Sequence, residues 1–285
     1  MAITGSGTQA DPYVVHSYSE IKNVFENAPS SGSVYCQLAN DINCNDYGSS
    51  FSWGNIALRY NAASVIFDLN SHIIKNIQIT TNQTMFTFGN SATSIIKNGS
   101  ILNMFMNTSN GFCDYTGGLY SHSKLQNVSI SADATGVNSN PFYCGFDSCA
   151  VFLEGGSTNY SPFKISNNVS AKMENTDVLL SNAKGYMLFE DTGSQNITNS
   201  RIRGKFTGEQ NFLASDGNLF NNCVVDLEYN KAYLTGSSGT NTGVINTDKL
   251  PSGFNTRGMT SVNSQEIING AALRAKDFVV VNVVG

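Results

Sequence analysis

The residues of this chain that come nearest to a catalytic set are Asp177, Arg201 and Asp226. Carboxylates can serve as general acid and base on a glycosidic bond, or they can hold a Ca²⁺ ion. Inverting hydrolysis needs an acid and a base that flank a water molecule, so one isolated carboxylate is not enough. The three residues are scattered along the chain rather than grouped in a motif. The sequence therefore predicts no catalytic residues.

Histidine and cysteine usage predicts no metal site. The three histidines, His16, His72 and His122, lack the spacing of metal ligands. An even number of cysteines could form disulfides in an exported protein, with fifteen pairings for six. The start of the chain shows no basic region followed by an apolar stretch, so no secretion signal is predicted. We therefore expect reduced cysteines in the core; they are Cys36, Cys44, Cys113, Cys144, Cys149 and Cys223.

A short repeated sequence pattern would position the side chains considered above. It consists of an apolar residue, any residue, Asn, two residues of any kind, and Ile or Val. The intervals between its asparagines are similar except for the one from Asn127 to Asn175, which is about twice as long and which we interpret as two periods with one degenerate copy. Asn tolerates the left-handed backbone of a tight bend, and its amide can bond to the Asn of the next turn. We predict that six residues form such a structural ladder: Asn76, Asn98, Asn127, Asn175, Asn199 and Asn222.

A repeat of this length is typical of a solenoid. The runs beside each Asn alternate or are β-branched, so each can bury only one face, and stacked turns are needed to build a core. The prediction is an all-β protein of roughly eight to ten turns. We expect an N-terminal capping segment over 1–33, a parallel β-helix over 34–245, and a tail of helix plus strand over 246–285.

The repeat resembles the right-handed parallel β-helix of the pectate-lyase-like superfamily, of the kind found in phage fibre and spike proteins. The resemblance covers roughly Val65 to Tyr229. It implies a single-stranded right-handed β-helix with inward-facing aliphatic side chains and an Asn ladder. It implies little about function, because the superfamily includes lyases, hydrolases, adhesins and phage spikes.

Two enzyme patterns of that superfamily are only partly present. Polygalacturonase-like hydrolases carry Asn-Thr-Asp, an Asp pair, a Gly-His-Gly turn and Arg-Ile-Lys. This chain has Asn175-Thr176-Asp177 and Arg201-Ile202-Arg203, but the Asp pair and the His turn are missing between them. Lyases of the fold carry three acidic Ca²⁺ ligands with an Arg base, which Asp177, Arg201 and Asp226 match only in part. We therefore predict no enzyme and no cofactor, with a polysaccharide lyase or glycoside hydrolase as the alternative.

The N-terminal segment predicts a cap. A Gly-x-Gly-Thr turn and an Asp-Pro-Tyr sequence precede a short helix, with Ser17 and Glu20 as a capping box. This order resembles the opening of many bacterial surface and phage β-helix proteins, in which the helix covers the first turn. Such a cover prevents edge-to-edge association. The apolar face of the helix would consist of Ile21, Val24 and Phe25.

Four aromatic residues are candidate binding or assembly residues. Trp53 lies in a loose stretch and could stack on a sugar ring or pack against the cap. Tyr120 and Phe142 belong to insertions, which in solenoids collect on one face that either binds a ligand or packs on a neighbouring subunit. Phe278 begins a strand that is too apolar to stay exposed, so it should pair with the last turn or with another chain.

Composition excludes two classes of partner. Charged residues are 13% of the chain, against about 25% in ordinary domains, and the net charge is −5 without a basic stripe. Nucleic-acid binding therefore has no electrostatic basis. No apolar run reaches the length of a membrane span, so no membrane insertion is predicted.

The function that fits these observations is structural. We predict a phage virion component, such as a fibre, spike or decoration protein, assembled in the host cytoplasm. Its expected partners are other virion proteins and a host surface glycan, and it is expected to be a homo-oligomer, specifically a trimer. The second alternative to this function is a bacterial surface adhesin, located at the cell surface or secreted.

Overall fold

The computed structural model of the chain describes residues 3–29, 31–54, 56–57, 64–80, 85–88, 94–107, 113–115, 123–137, 140–165, 172–191, 197–215, 217 and 219–265. Strands make up 51% of it and helix 7%. The strands wind into a right-handed parallel β-solenoid of about seven turns, which confirms the predicted fold class. This count is lower than the predicted eight to ten turns.

The helix α1 spans Tyr18–Glu26, and a 3-10 helix spans Cys44–Tyr47. In chain order the strands are β1 (Tyr13–Val15), β2 (Ser33–Leu38), β3 (Ile42–Asn43), β4 (Ile56–Ala57), β5 (Ser64–Asp68), β6 (Ile73–Thr80), β7 (Phe86–Phe88), β8 (Ser94–Asn107), β9 (Cys113–Tyr115), β10 (Ser123–Asp133), β11 (Gly145–Asp147), β12 (Ala150–Glu154), β13 (Phe163–Ile165), β14 (Met173–Glu174), β15 (Asp177–Gly185), β16 (Phe189–Asp191), β17 (Ile197–Thr198), β18 (Arg201–Gly208), β19 (Phe212–Ala214), β20 (Phe220–Asn221), β21 (Cys223–Tyr229), β22 (Tyr233–Thr235), β23 (Gly243–Asn246) and β24 (Thr260–Val262).

The strands stack in three ladders, one for each face of the solenoid. The first ladder contains β1, β2, β5, the first halves of β8 and β10, and then β11, β14, β17 and β20. The second ladder contains β3, β6, the second halves of β8 and β10, and then β12, β15, β18, β21, β23 and β24. The third face carries two separate parallel sheets, one of β4, β7 and β9 and one of β13, β16, β19 and β22. All these pairings are parallel, so each turn lies above the previous one.

Apolar side chains of successive turns stack in columns inside the solenoid. The column of the first ladder is Cys36, Phe67, Ile96, Leu125, Phe146, Met173, Ile197 and Phe220. The column of the second ladder is Ile42, Ile74, Ile101, Ile130, Val151, Val178, Ile202, Val225 and Ile245. All of these side chains are buried. The apolar positions on either side of the repeated Asn are therefore the two columns of the core.

The length of a turn varies although the columns stay in register. The turn from Ile42 to its partner Ile74 takes 32 residues, whereas the turn from Val225 to its partner Ile245 takes 20. The stacking also extends past the boundaries expected for the β-helix. Strand β1 pairs with β2 before residue 34, and β24 pairs with β23 after residue 245.

The repeated asparagines adopt the left-handed backbone that the pattern predicts, with φ between 50° and 60° in all six. Five of them lie at the bend between the first and second ladders: Asn98, Asn127, Asn175, Asn199 and Asn222. The degenerate copy is Ser148, whose φ is 56° and which lies one turn from both Asn127 and Asn175. Side-chain amides join neighbouring turns where two asparagines stack, with 2.8 Å from Asn222 Nδ2 to Asn199 Oδ1.

Asn76 is a correction to the predicted ladder, because it does not stack on Asn98. It lies on a second bend, inside the second ladder, between Asn43 and Asn103. Its Nδ2 donates to Asn43 Oδ1 at 2.8 Å and its Oδ1 accepts from Asn103 Nδ2 at 3.2 Å. Both bends carry the same local pattern of apolar residue, any residue and Asn. The interval from Asn76 to Asn98 therefore joins two different bends and is not a turn.

A second polar ladder lies inside the solenoid, at the residue that follows Ser148, Asn175, Asn199 and Asn222. Thr176 Oγ1 donates to the Glu174 carbonyl at 2.8 Å and accepts from the backbone N–H of Cys149 at 3.4 Å. Ser200 Oγ likewise donates to the Thr198 carbonyl and accepts from the N–H of Thr176 at 3.1 Å. These hydroxyls satisfy backbone groups that a bend would otherwise leave unpaired in the interior.

Replacing Asn199 with alanine is expected to lower the free energy of unfolding by about 2–3 kcal/mol. The substitution removes the Asn199–Asn222 amide bond, worth about 1 kcal/mol, and places a Cβ-bearing residue without a local hydrogen bond at φ 50°, which costs about 1–2 kcal/mol. Asn199→Gly should lose only the hydrogen bond, since glycine tolerates this backbone. Urea unfolding followed by circular dichroism measures both variants, and equal stabilities for the alanine variant and the wild type would contradict this account.

The N-terminal helix caps the solenoid as predicted. Ser17 Oγ accepts from the Glu20 N–H at 3.3 Å, while the Glu20 carboxylate accepts from the N–H of His16 at 2.7 Å. The buried face consists of Ile21, Val24 and Phe25. The Phe25 ring lies 6.0 Å from that of Phe67 and 5.5 Å from that of Phe86, so the helix covers the N-terminal end of the core.

The beginning of the tail is fastened to the last turns. The N–H of Ser264 donates to Asp248 Oδ2 at 2.8 Å, and the Ser264 hydroxyl lies 2.9 Å from Asn246 Nδ2. The rest of the tail, including the predicted strand that begins at Phe278, lies outside the described residues.

Candidate functional site

The carboxylate of Asp177 is held by two arginines on the outer face of the second ladder. Asp177 and Arg201 are register partners on β15 and β18. Arg201 donates to both carboxylate oxygens through Nε and Nη2, and Arg203 does the same at 3.2 Å for each nitrogen. The side chain of Asp177 is only 4% exposed, whereas those of Arg201 and Arg203 are 35% and 28% exposed. A carboxylate occupied on both oxygens by cations is poorly placed to take a proton from a substrate.

Asp226 does not join Asp177 in an acid–base pair. It is the register partner of Arg203 on the next turn, and its Oδ1 accepts from Asn246 Nδ2 at 2.8 Å and pairs with Lys249 Nζ at 2.8 Å. The three residues closest to a catalytic set therefore lie on consecutive turns, with each carboxylate neutralised by a basic side chain. Their geometry ties turns together.

Ion pairs between adjacent turns are the rule on the outer face. Lys97 pairs with its register partner Asp68, Lys164 with Glu190, and Lys205 with Glu228, at N–O distances of 3.4, 3.0 and 2.7 Å. Lys124 pairs with Asp147 at 3.0 Å. Burial alone would raise the pKa of Asp147, but the Lys124 ammonium and the hydrogen bonds from Ser148 and Asn175 together lower that pKa below its usual value. Most of these charged side chains are thus paired with an opposite charge in the same chain.

A groove of about 290 Å³ opens on the second ladder where β8, β10 and β12 lie side by side. Two phenylalanines and two acidic residues are among the residues that line it. The lining residues are Asn103, Met104, Phe105, Ser131, Ala132, Asp133, Phe152 and Glu154. Phe105 is 40% exposed, which is unusual for so large an apolar side chain on a strand.

A bulge in β8 sets the position of Phe105. Ile101 pairs with Ile130 and Met104 with Ala132, so β8 has one residue more than β10 between these pairs. Asn103 has φ 53° at this point and donates its N–H to Ser131 Oγ at 2.8 Å. Bulges of this kind redirect the side chains that follow them. Sequence reasoning missed the groove, because the strand register that brings Phe105 beside Asp133 and Glu154 is not visible in the sequence.

Trp53 and Phe142 are buried, which corrects their assignment as binding or assembly residues; for Trp53 the structure shows the other predicted arrangement, packing against the cap. Trp53 is fully buried, its Nε1 donates to the Met85 carbonyl at 3.2 Å, and its ring lies 4.9 Å from that of Tyr18. Phe142 is also fully buried and stacks on Phe163 at 5.4 Å. Both are large apolar side chains beside an open part of the core, and burial outweighs any gain from exposure.

The predicted insertions are partly regular turns of the solenoid. Cys113–Tyr115 forms β9, which pairs with β7, and Gly145–Asp147 forms β11, which pairs with β10 and β14. Their loop-rich composition concealed these very short strands. Tyr120 lies outside the described residues, as Phe278 does, so neither is placed.

The five described cysteine side chains are free and buried, which agrees with the expectation of reduced core cysteines: Cys36, Cys44, Cys144, Cys149 and Cys223. Burial raises the pKa of Cys36 and Cys149 to about 12 and that of Cys223 to about 11. Cys149 and Cys223 occupy the inner polar ladder, where each thiol donates to a backbone carbonyl two residues earlier.

Cys149 and Cys223 are expected to resist alkylation by iodoacetamide at pH 8 in the folded protein. The thiolate is the reactive form, and burial together with a raised pKa keeps its population very low. Peptide mapping by mass spectrometry should find both residues unmodified in buffer and fully modified in concentrated urea. Rapid modification of either residue without denaturant would show that the interior column is open at this bend.

Within the described residues, no group of three or more His, Cys, Asp or Glu side chains is arranged to hold a metal ion. No helix in that part of the chain is long and apolar enough to cross a membrane.

Comparison with known proteins adds a likeness of fold. No protein-family model matches the chain, and no curated protein matches it. Among solved structures, the chain is similar to a candidate immunoglobulin A1 protease from Bacteroides ovatus, with a TM-score of 0.52 and 16% sequence identity. The match covers 93% of this chain and 88% of that one. At this identity the likeness concerns the β-solenoid fold alone.

Proposed function

We propose that this chain is a structural component of a bacteriophage particle, a fibre, spike or decoration protein that attaches to the particle or to the host surface. The observation that carries the proposal is the use of charge. Asp177 and Asp226, the two carboxylates nearest to a catalytic set, form ion pairs with basic side chains of their own or adjacent turns. The outer face is therefore a rigid surface rather than a reactive one. A solenoid whose turns are cross-linked in this way suits a projecting element.

The arginine pair around Asp177 argues against the polysaccharide-cleaving alternative. General-base catalysis requires a carboxylate that can accept a proton from water or substrate. Asp177 would first have to leave both Arg201 and Arg203, and it is only 4% exposed. A bacterial surface adhesin could have the same architecture. The location of the protein, in the particle or on the cell surface, therefore distinguishes the two functions.

Immunogold electron microscopy tests the proposal directly. An antibody raised against the purified chain should label intact phage particles from the source culture, and peptides of the chain should appear in the mass spectrum of gradient-purified particles. Recovery of the protein only in the bacterial envelope fraction would favour the adhesin. Release of reducing ends or unsaturated products from uronate polymers or host wall glycans, abolished by Asp177→Asn, would establish the enzyme.

We also propose that the chain assembles as a trimer, because several copies on one element increase avidity without new contacts. The test compares the full chain with one that ends at Gln265, which keeps β24 and its contacts to Ser264. Sedimentation and light scattering should give a threefold mass for the full chain and a lower mass for the shortened one. A full chain that is monomeric at tens of micromolar would contradict self-association.

A further inference from the structure

Asp133 and Glu154 depart from the ion-pair pattern of the outer face. They are register partners on β10 and β12, so two carboxylates lie one turn apart, at a backbone spacing of about 4.8 Å. Like charges in this position destabilise a sheet. Asp133 Oδ1 accepts from the N–H and the hydroxyl of Thr135, which are neutral donors. No described Lys or Arg forms an ion pair with either residue, whereas the other strand acids with described side chains each have a cationic partner: Asp68, Asp147, Glu174, Asp177, Glu190, Asp226 and Glu228.

Aromatic rings border the same two carboxylates. Phe105 is the register partner of Asp133 on the preceding turn, and its side chain is 40% exposed. Phe152 lies two residues before Glu154 on β12, is half-buried, and pairs with Ser131. The result is a groove of about 290 Å³ with apolar walls and an uncompensated negative charge. Its volume is near the lower end of the range for small-ligand pockets, about 300–1,000 Å³, so it suits a sugar ring rather than a folded partner.

The polarity of the groove defines the ligand it would bind best. The apolar face of a pyranose ring packs on an aromatic side chain, and an ammonium group is attracted by the aromatic face and by carboxylates. A cation between Asp133 and Glu154 would also relieve the repulsion between them. A neutral sugar would leave both charges unpaired, and an acidic sugar would be repelled.

We propose that this groove binds an amino sugar with a free amine, of the glucosamine type, in a surface glycan. The proposal rests on the proposed function, for which it supplies the ligand class and the residues that recognise it. Phe105 and Phe152 hold the ring, and the two carboxylates hold the ammonium. The bulge at Asn103 is then a binding feature, because it turns Phe105 toward the groove.

Isothermal titration calorimetry with purified protein tests the proposal using two matched probes, a glucosamine tetramer and an N-acetylglucosamine tetramer. The amine form should bind at least about tenfold more tightly, a difference of about 1.4 kcal/mol. The double variant Asp133→Asn, Glu154→Gln and the single variant Phe105→Ala should each weaken binding by a similar factor. The matched control is Glu228→Gln, which removes an outward strand acid that has its own partner, Lys205, and should leave binding unchanged.

Four outcomes would overturn the proposal: no binding of either tetramer, equal binding of both, equal weakening by the Glu228→Gln control, or tighter binding of a lysine hexapeptide than of the glucosamine tetramer. The last outcome would assign the groove to a protein partner. Thermal unfolding of each variant shows that lost binding is not lost folding. Particle labelling is measured separately, so labelled particles without glucosamine binding contradict only the groove, and glucosamine binding without labelled particles contradicts only the virion assignment.

Discussion

Replacing Phe220 with alanine is expected to lower the free energy of unfolding by about 3–5 kcal/mol. Phe220 is 1% exposed and ends the interior column of the first ladder, directly above Ile197. Its ring meets that of Phe189 edge to face at 6.0 Å, so truncation removes contacts to two ladders at once. The strands beside it are very short, which leaves little backbone that could move to fill the cavity.

Urea unfolding followed by circular dichroism and by hydrogen exchange measures this change. Hydrogen exchange should show the largest loss of protection in the turns next to Phe220, because a solenoid turn contacts only its neighbours. Phe105→Ala is the matched control, since it removes the same side chain from a 40% exposed position and should change stability little. Similar losses for the two variants would contradict the assignment of inner and outer faces.

Replacing Gly204 with alanine is expected to lower the free energy of unfolding by about 3 kcal/mol or more, because two costs combine. Gly204 has φ 107°, a backbone that costs other residues about 1–3 kcal/mol. A Cβ built at this position would also lie 2.1 Å from the carbonyl oxygen of Leu180. Leu180 is its register partner in the ladder, so the clash can be relieved only by separating β15 from β18. That separation would strain the Asp177–Arg201 contact on the same strands.

Gly48 offers a matched control for the clash. Its φ is 97°, but a Cβ there would meet no atom within 4 Å. Gly48→Ala should therefore show only the backbone term, about 1–3 kcal/mol. Differential scanning calorimetry of both variants separates the two contributions. Equal melting temperatures for Gly204→Ala and Gly48→Ala would mean that turns in the second ladder lie farther apart than this structure has them.

The solenoid was predictable because the bend between its two interior columns has a left-handed backbone that favours Asn. Each Asn at the first bend stands two residues after one column and three before the next, so pattern and backbone agree. Asn76 was assigned to the wrong bend for the same reason, since a second bend within the ladder uses the same local pattern. Short-range patterns identify the shape of a bend, but the connection lengths decide which bends stack.

The groove could not be predicted from the same signals. Phe105 lies on β8, Asp133 on β10 and Glu154 on β12, and only the strand register brings these distant positions together. The register shift at Asn103 adds one residue that no hydrophobic period reveals. Burial of Phe142 was equally hidden, because composition does not distinguish an aromatic ring on a loop from one that fills the core beneath it.

The varying turn length has an evolutionary consequence. One turn takes 32 residues, from Ile42 to Ile74, and another takes 20, from Val225 to Ile245, while the interior columns keep their phase. Insertions and deletions in the connections therefore need not displace residues from the interior columns, provided that the bend residue stays between its two columns. A lineage can alter the outline of such a protein by lengthening one loop at a time, and each intermediate still folds. The surface can thus diversify quickly around a framework that changes slowly.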